Sequence, residues 1–483
     1  MTKKLLFAGM LFLTFYLTAQ ISPVKNINLE NTGETNKSSN PQQLYVFDGK
    51  LYFSAHDTNG LNSPGNANLG RELWVTDGTE AGTSLLKDIN SGSSGSLPRE
   101  FFTFNNTMYF TVSDADGANI WKSDGTAVGT VSAELLPNFN ESAQRPITLN
   151  GKVYMTGITT AGDTNDLLVF DGTTLTNANT GTDDENILTN IVAFKNKIFC
   201  YASLASQDAT IGIELYSFDT TTNMFTLVKD ITGDDGNASI SNFTILGNEL
   251  YFEALSKLWK TDGTTAGTVA VAAADIYKGV NNLVAFNNKI LFEGDVTVNG
   301  GGDNLIAYDP ATNTTINISN FTGDTQNHDP SDYLEYDGFL YYRGEEATTT
   351  TGHLYRTNGV TTDLISNTIK DVDDLVLFNN KIYFEGDNGT TGNELYVLNP
   401  TTLSIEKATF NAISIYPNPS KNTINVSHNL NDKVYYSILD LNGRSVSRGT
   451  LVDNKIKHSL STGVYLLKLE SKNTTKTQKI VVE

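Results

Sequence analysis

At 483 residues, 39% apolar and 10% aromatic, the chain can bury a real core, either as about three domains or as one large repeat fold with a small domain attached. Its net charge of −21 excludes a body that holds nucleic acid or an anionic membrane surface by charge. A single cysteine, Cys200, excludes a disulfide framework and a thiolate metal site, and its apolar setting in KIFCYA reads as a buried, inert thiol.

In chain order, the first element is MTKKLLFAGMLFLTFYLTAQ. Its basic start, apolar stretch and small polar end read as a signal peptide over residues 1–20, cut near Ala19–Gln20. No cysteine follows to take a lipid, and no later stretch is long enough to span a bilayer, so an exported chain without an integral membrane segment is expected. The segment SPVKNINLE at 22–30 resembles SLLKDINSG at 84–92 and TLVKDITGD at 226–234. It reads as an orphan outer strand that would complete the last unit of a ring.

From Phe47 a hairpin pattern recurs: an apolar strand, a tight turn, a second apolar strand. The copies begin at Phe47, Phe104, Leu149, Phe194, Leu246, Phe286, Tyr336 and Phe378. Their turns are Asp-Gly, Asn-Gly, Asn-Asn or close variants, which tolerate the positive φ that a short hairpin demands. Each copy is followed by a second hairpin, clearest in ELWVTDGTEAGT at 72–83, NIWKSDGTAVGT at 119–130 and KLWKTDGTTAGT at 257–268. In these, Asp77, Asp124 and Asp262 can accept bonds from their own turns, with Gly78, Gly125 and Gly263 supplying the permissive φ. Trp74, Trp121 and Trp259 would pack between neighbouring sheets. Since the other five copies lose parts of the motif and keep the strands, the motif reads as a turn device rather than a ligand site.

Four strands per unit, with no helices between units, predict an all-β fold: an eight-bladed β-propeller over residues 21–410 with a closing strand near 22–30. A seven-bladed ring with an irregular extra hairpin pair is the alternative. A β-helix would need a shorter period, and a β-sandwich cannot use eight such units.

The pattern ends near residue 410. Residues 411–483 are basic, whereas the stretch before them is strongly acidic. They carry Tyr416-Pro417-Asn418-Pro419, Leu441-Asn442-Gly443-Arg444, Gly463-Val464-Tyr465-Leu466 and a basic-then-apolar ending, Lys479-Ile480-Val481-Val482. This segment resembles the type A C-terminal sorting domain of the type IX secretion system of Bacteroidetes. The resemblance implies a small β-sandwich, the type IX machinery as a partner, a route through the periplasm to the medium or outer-membrane surface, and removal or attachment afterwards. The ELWxTDGTxxGT repeats are similar to repeats in secreted proteins of the same bacteria, which implies fold and address but no chemistry.

Catalytic signatures are weak. The histidines His56, His328, His353, His428 and His458 lack metal-ligand spacing and read as surface or loop residues. Neither a nucleophile elbow nor a phosphate-binding glycine loop occurs, so no catalytic residue and no cofactor is assigned. DADG at 114–117 has the flavour of a calcium loop without the rest of an EF-hand, so calcium stays open. The variable connections between hairpins collect acids: Asp57, Asp114, Asp116, Asp163, Asp208, Asp295, Asp303, Glu345 and Asp387. On a rigid scaffold, such loops are the candidate ligand face. The expected function is therefore an exported, non-catalytic binding or adhesion protein for a glycan or other surface ligand. A polysaccharide hydrolase or lyase is the alternative, and a structural coat protein a third.

Overall fold

The computed structural model describes residues 21–29, 38–57, 68–114, 117–133, 144–158, 165–181, 183–187, 191–295, 303–319, 327–346, 351–400, 414–427, 433–440, 444–471 and 474–483. The expected signal peptide lies outside them. The described chain is all-β apart from a four-residue helical turn, Asp208–Ile211, and a short 3-10 turn, Ala272–Ala274. These turns correct the expectation of helix-free connections; each fills a link between strands. Among the described residues, no helix is long and apolar enough to cross a membrane. Two compact units separate, Ile21–Asn399 and one whose described residues lie within 400–483.

The described residues of the first unit form eight antiparallel sheets, numbered 1 to 8 in the chain order of the strands Gln42–Phe47, Arg99–Phe104, Gln144–Leu149, Glu185–Ile187, Ser241–Leu246, Lys278–Phe286, Ser331–Tyr336 and Lys370–Phe378. Sheet 1 comprises Gln42–Phe47, Lys50–His56, Arg71–Thr76 and Ser84–Lys87, paired in chain order. The expected hairpin turns are present: Asp48 and Gly49 take φ of 42° and 71°, and Asn287 and Asn288 take 50° and 59°. Sheet 4 departs from the four-strand pattern, because two short strands, Glu185–Ile187 and Val192–Phe194, both pair with Lys197–Leu204. In sheet 8, the strands Lys370–Phe378, Lys381–Asp387 and Asn393–Leu398 are joined by the N-terminal Ile21–Lys25, which runs antiparallel to Asn393–Leu398.

Second strands such as Lys381–Asp387 are buried along nearly their whole length because both faces meet neighbouring sheets. Apolar clusters lie between consecutive sheets. One joins Tyr52, Leu73, Met108 and Phe110 of sheets 1 and 2. Another joins Leu44, Phe53 and Trp74 of sheet 1 to Phe378, Tyr383 and Leu395 of sheet 8. Cys200 is buried among sheet 3 and sheet 4 side chains.

The repeated motif is a turn that docks one sheet on the previous one. Asp77 Oδ1 accepts from the Thr79 N–H at 2.9 Å and its hydroxyl at 2.7 Å, and Thr79 Oγ1 accepts from the Gly82 N–H at 3.0 Å. The buried hydroxyls of Thr76 and Thr83 meet at 2.7 Å. The same bonds recur around Asp124 and Asp262. These bonds hold the three aspartate carboxyls below their ordinary range. Gly78 sits at φ 92°, and a Cβ there would lie 2.4 Å from the Tyr383 hydroxyl of sheet 8. Gly125 sits at φ 88° and stands in the same relation to Tyr52 of sheet 1, at 2.6 Å.

Sequence reading missed a second repeated device, the glutamate that begins ELW or ELY. Glu72, Glu214 and Glu394 are fully buried. Glu72 accepts from Ile89 N at 3.0 Å, Asn90 N at 3.1 Å and Ser96 Oγ at 2.5 Å. Glu394 accepts from Ile27 N at 3.0 Å, Asn28 N at 3.3 Å and Ser39 Oγ at 2.6 Å. Each carboxylate thus ties down the chain leaving an outer strand, and Glu394 does this for the N-terminal one.

The second unit packs a three-stranded sheet, Ser414–Tyr416, Thr423–Ser427 and Lys455–Lys457, against a four-stranded one. The latter orders Ser445–Thr450, Tyr435–Leu439, Gly463–Ser471 and Thr474–Val482. Ile424, Val426 and Ile456 of the first meet Ile438, Leu467 and Ile480 of the second in one core.

Candidate functional site

The first strand of sheet 6, Lys278–Phe286, is bulged, with its register shifting at Asn281, and Asn282 takes a φ of 48°. This turns the Asn282 amide toward Glu293 Oε2 at 2.7 Å. Glu293 belongs to the second strand, Lys289–Asp295, and Asp303 opens the third, Asp303–Asp309, directly opposite Asp295. Asp329 arrives from the link into sheet 7. Carboxylate oxygens of Glu293, Asp303 and Asp329 all lie within 4.8 Å of one another.

The link that brings Asp329 follows a recurring plan. Ser39, Ser96, Ala238 and His328 each donate N–H to the carbonyl at or beside the start of a third strand, and each accepts from the end of the next sheet's second strand. The residue after each is in the left-handed region: Asn40, Leu97, Ser239 and Asp329, at φ 43°, 50°, 51° and 44°. His328 donates to Asp303 O at 2.7 Å and accepts from Glu345 N at 2.5 Å. Its ring meets Glu345 O at 2.9 Å and Tyr342 Oη at 2.8 Å. Gly344 leaves room for the ring, since a Cβ there would lie 2.6 Å from His328 Cε1.

The cluster is short of positive charge. Arg343 reaches Asp329 Oδ2 at 3.3 Å but also pairs with Glu345 Oε1 at 2.8 Å. Burial, then the charges of Asp303 and Asp329, pushes Glu293 up to about 8 despite the Asn282 bond. Burial and the Asp295 charge push Asp303 up to about 6. Around the first strands of sheets 7 and 8, burial and neighbouring acids push Asp332 to about 6, and Asp374 and Glu385 to about 7.

Of the sequence-derived acids, Asp295 and Asp303 come together in this cluster. Glu345 is buried in its ion pair with Arg343, and Asp57 is buried at the end of a sheet 1 strand. Asp208 is exposed on the short helical turn, and Asp387 accepts from Gly389 N at 2.7 Å within its own loop. Asp114 ends a strand of sheet 2, while Asp116 and Asp163 lie outside the described residues. Glu293 and Asp329 were not singled out from sequence. Glu293 occupies the position of Glu253 and Glu385 in the second strands, a recurrence that could have flagged it. The surface reading of the histidines needs correction: His328 is fully buried and His353 nearly so. His353 occupies the place of the ELY glutamate, and its Nδ1 bonds Ile369 O at 2.8 Å, so it performs the same tying role.

A pH dependence follows from the raised acids. In the unfolded chain these carboxyls titrate near 4, whereas the fold retains their protons up to about 6 to 8. Between those limits the native state binds more protons, so stability falls as pH rises through that window. The turn aspartates act oppositely, their contribution being lost only as pH falls below about 4. Thermal melts in chelator should therefore peak near pH 5 and decline steadily to pH 8.5; a melting temperature that rises across that span would contradict the burial of these acids.

In the second unit, Asn418 Oδ1 accepts from Val481 N at 2.7 Å and its Nδ2 donates to Lys479 O at 3.1 Å. Tyr416, Pro417 and Pro419 are exposed beside it, and the Tyr416–Pro417 and Asn418–Pro419 bonds are cis. Gly463 and Tyr465 begin the long strand Gly463–Ser471, with Tyr465 Oη donating to Ser461 O at 2.9 Å. Gly443 lies outside the described residues.

Compared with known proteins, residues 414–483 match the family model of the secretion system C-terminal sorting domain. The type IX sorting domain read from sequence is thereby supported, and with it secretion or outer-membrane surface placement and the secretion machinery as a partner. No curated protein matches the chain. Among solved structures, a puromycin hydrolase is similar at 10% identity and TM-score 0.44, over 77% of this chain and 61% of that one. A prolyl endopeptidase is similar at 11% and 0.46, over 73% and 55%. The β-propeller domain of the Trilobed protease from Pyrococcus furiosus is similar at 11% and 0.41, over 69% and 97%. The chain thus spans less than two thirds of either peptidase, and at this similarity none of their chemistry carries over.

Proposed function

We propose that this is an exported binding protein in which the eight sheets are the blades of one closed propeller over residues 21–410, completed by the N-terminal strand. The packing of sheet 1 on sheet 8 and the Leu44 N–H bond to Asp374 Oδ2 at 2.9 Å support closure. A signal peptide over 1–20 would deliver the chain to the periplasm, from which the sorting domain carries it outward.

The function is cation-dependent recognition of a polar surface ligand such as a glycan, without catalysis. The observation that carries this reading is the convergence of Glu293, Asp303 and Asp329 from three chain segments. Clustered carboxylates suit a hard divalent cation, calcium above all, which takes 6–8 oxygens at about 2.4 Å. Three carboxylates fill only part of that shell, so water and ligand hydroxyls would complete it. Calcium titration of the purified chain in a calorimeter tests the reading. Saturable binding is expected in wild type and at least tenfold weaker binding in Asp303→Asn, the loss of one charged ligand. A glycan array with and without chelator then tests the ligand. Absence of calcium binding at millimolar concentration would overturn the cation site, and glycan cleavage would overturn the non-catalytic reading.

A further inference from the structure

The far edge of the C-terminal strand Thr474–Val482 is occupied at its end by the segment that carries the first sorting motif. Ser420 N donates to Val481 O at 2.8 Å, and Glu483 N donates to Ser420 O at 2.9 Å. Ser420 and Val482 form a parallel bridge. One residue pair earlier, the ladder needs a donor for Lys479 O and an acceptor for Val481 N. In that register the partner residue is Asn418, which lies between Pro417 and Pro419. The Asn418 side chain fills the gap, donating to Lys479 O and accepting from Val481 N. A carboxamide carries the same donor and acceptor as a peptide group, so the side chain extends the ladder by one pair. Ser420 is buried, and its hydroxyl meets His458 Nε2 at 3.0 Å. His458 N in turn donates to Asn422 O at 3.0 Å, anchoring the segment to the opposite sheet.

We infer that Asn418 is a positioning residue of the sorting signal: through it the Tyr-Pro-Asn-Pro motif holds the terminal Lys-Ile-Val-Val motif in strand conformation, so that the export machinery meets the two as one surface. The two motifs lie more than 60 residues apart in sequence but share one hydrogen-bonded edge. Asn418 is itself exposed and fills no core space, so its part in this unit is explained by the edge it completes rather than by packing. Asn418→Asp retains the acceptor for Val481 N and loses the donor to Lys479 O, whereas Asn418→Ala loses both.

The test uses the full chain, with export scored by cell fractionation and the Val481 amide followed by hydrogen exchange on purified protein. For Asn418→Ala, Val481 exchange is expected to quicken about tenfold, the effect of one lost hydrogen bond, and export to fall sharply. Asn418→Asp should lie between Ala and wild type in both readouts. Ile438→Val, a truncation in the core of the same unit, is the control for stability alone. It should lower the melting temperature of the unit yet leave export near wild type. Normal export of Asn418→Ala, unchanged Val481 exchange, or an export loss in Ile438→Val equal to that in Asn418→Ala would each overturn the inference.

Discussion

Removal of residues 411–483 will abolish delivery of the protein to the cell surface and medium while leaving the remaining chain folded. The folding half of this expectation rests on separate cores. The apolar clusters of the first unit draw on residues 24–397, and that of the second on residues 415–480. The N-terminal strand, its Glu394 clamp and the sheet 8 strands all lie within Ile21–Asn399. The export half rests on the match of residues 414–483 to the secretion sorting domain. Fractionation and immunoblotting should find the truncated chain inside the outer membrane and resistant to protease. Truncated protein on the surface would mean that the address lies elsewhere in the chain.

Glu394→Ala should be strongly destabilising in the first unit. It removes the carboxylate that accepts from the buried N–H groups of Ile27 and Asn28 and from the Ser39 hydroxyl, and losing one such buried hydrogen bond costs about 1–3 kcal/mol. Part of this is offset, because burial pushes the Glu394 carboxyl up to about 7 and its charge is therefore costly to keep at neutral pH. A net loss on the order of 2–5 kcal/mol is expected in urea unfolding. The loss should be largest near pH 5, where the wild-type carboxyl is protonated, and should shrink as pH rises through 7. Residues 21–29 should also become the first site of proteolysis. A variant as stable as wild type, with its N-terminal strand still protected, would mean that the clamp does not hold that strand in place.

The hairpins were legible because their turns need positive φ and only a few residue types supply it cheaply, so Asp48-Gly49 and Asn287-Asn288 announce themselves. The partner of the N-terminal strand was legible because SPVKNINLE repeats the sequence of outer strands, and the N–H of its Ile27 meets Glu394 as that of Ile89 meets Glu72. The glutamates themselves were not. On a strand of alternating pattern a glutamate reads as solvent-facing, and its burial depends on acceptor-hungry N–H groups from a link some 17 residues onward, or 367 away for Glu394. The carboxylate cluster was half legible. Asp295 and Asp303 flank one connection and could be grouped, whereas Asp329 reaches them only because the His328 link folds back across the start of a third strand. The buried histidines were misread because their partners, Tyr342 and the carbonyls of Glu345 and Ile369, lie 14 to 17 residues away.

The proposed closed ring of eight blades, with a cation held among three converging carboxylates, can be checked in a crystal structure of residues 21–483 grown with a lanthanide in place of calcium. An anomalous peak is expected within bonding distance of Glu293, Asp303 and Asp329, in a ring whose eighth blade takes its outer strand from Ile21–Lys25. An open array of sheets, or anomalous density only at scattered surface acids, would contradict it.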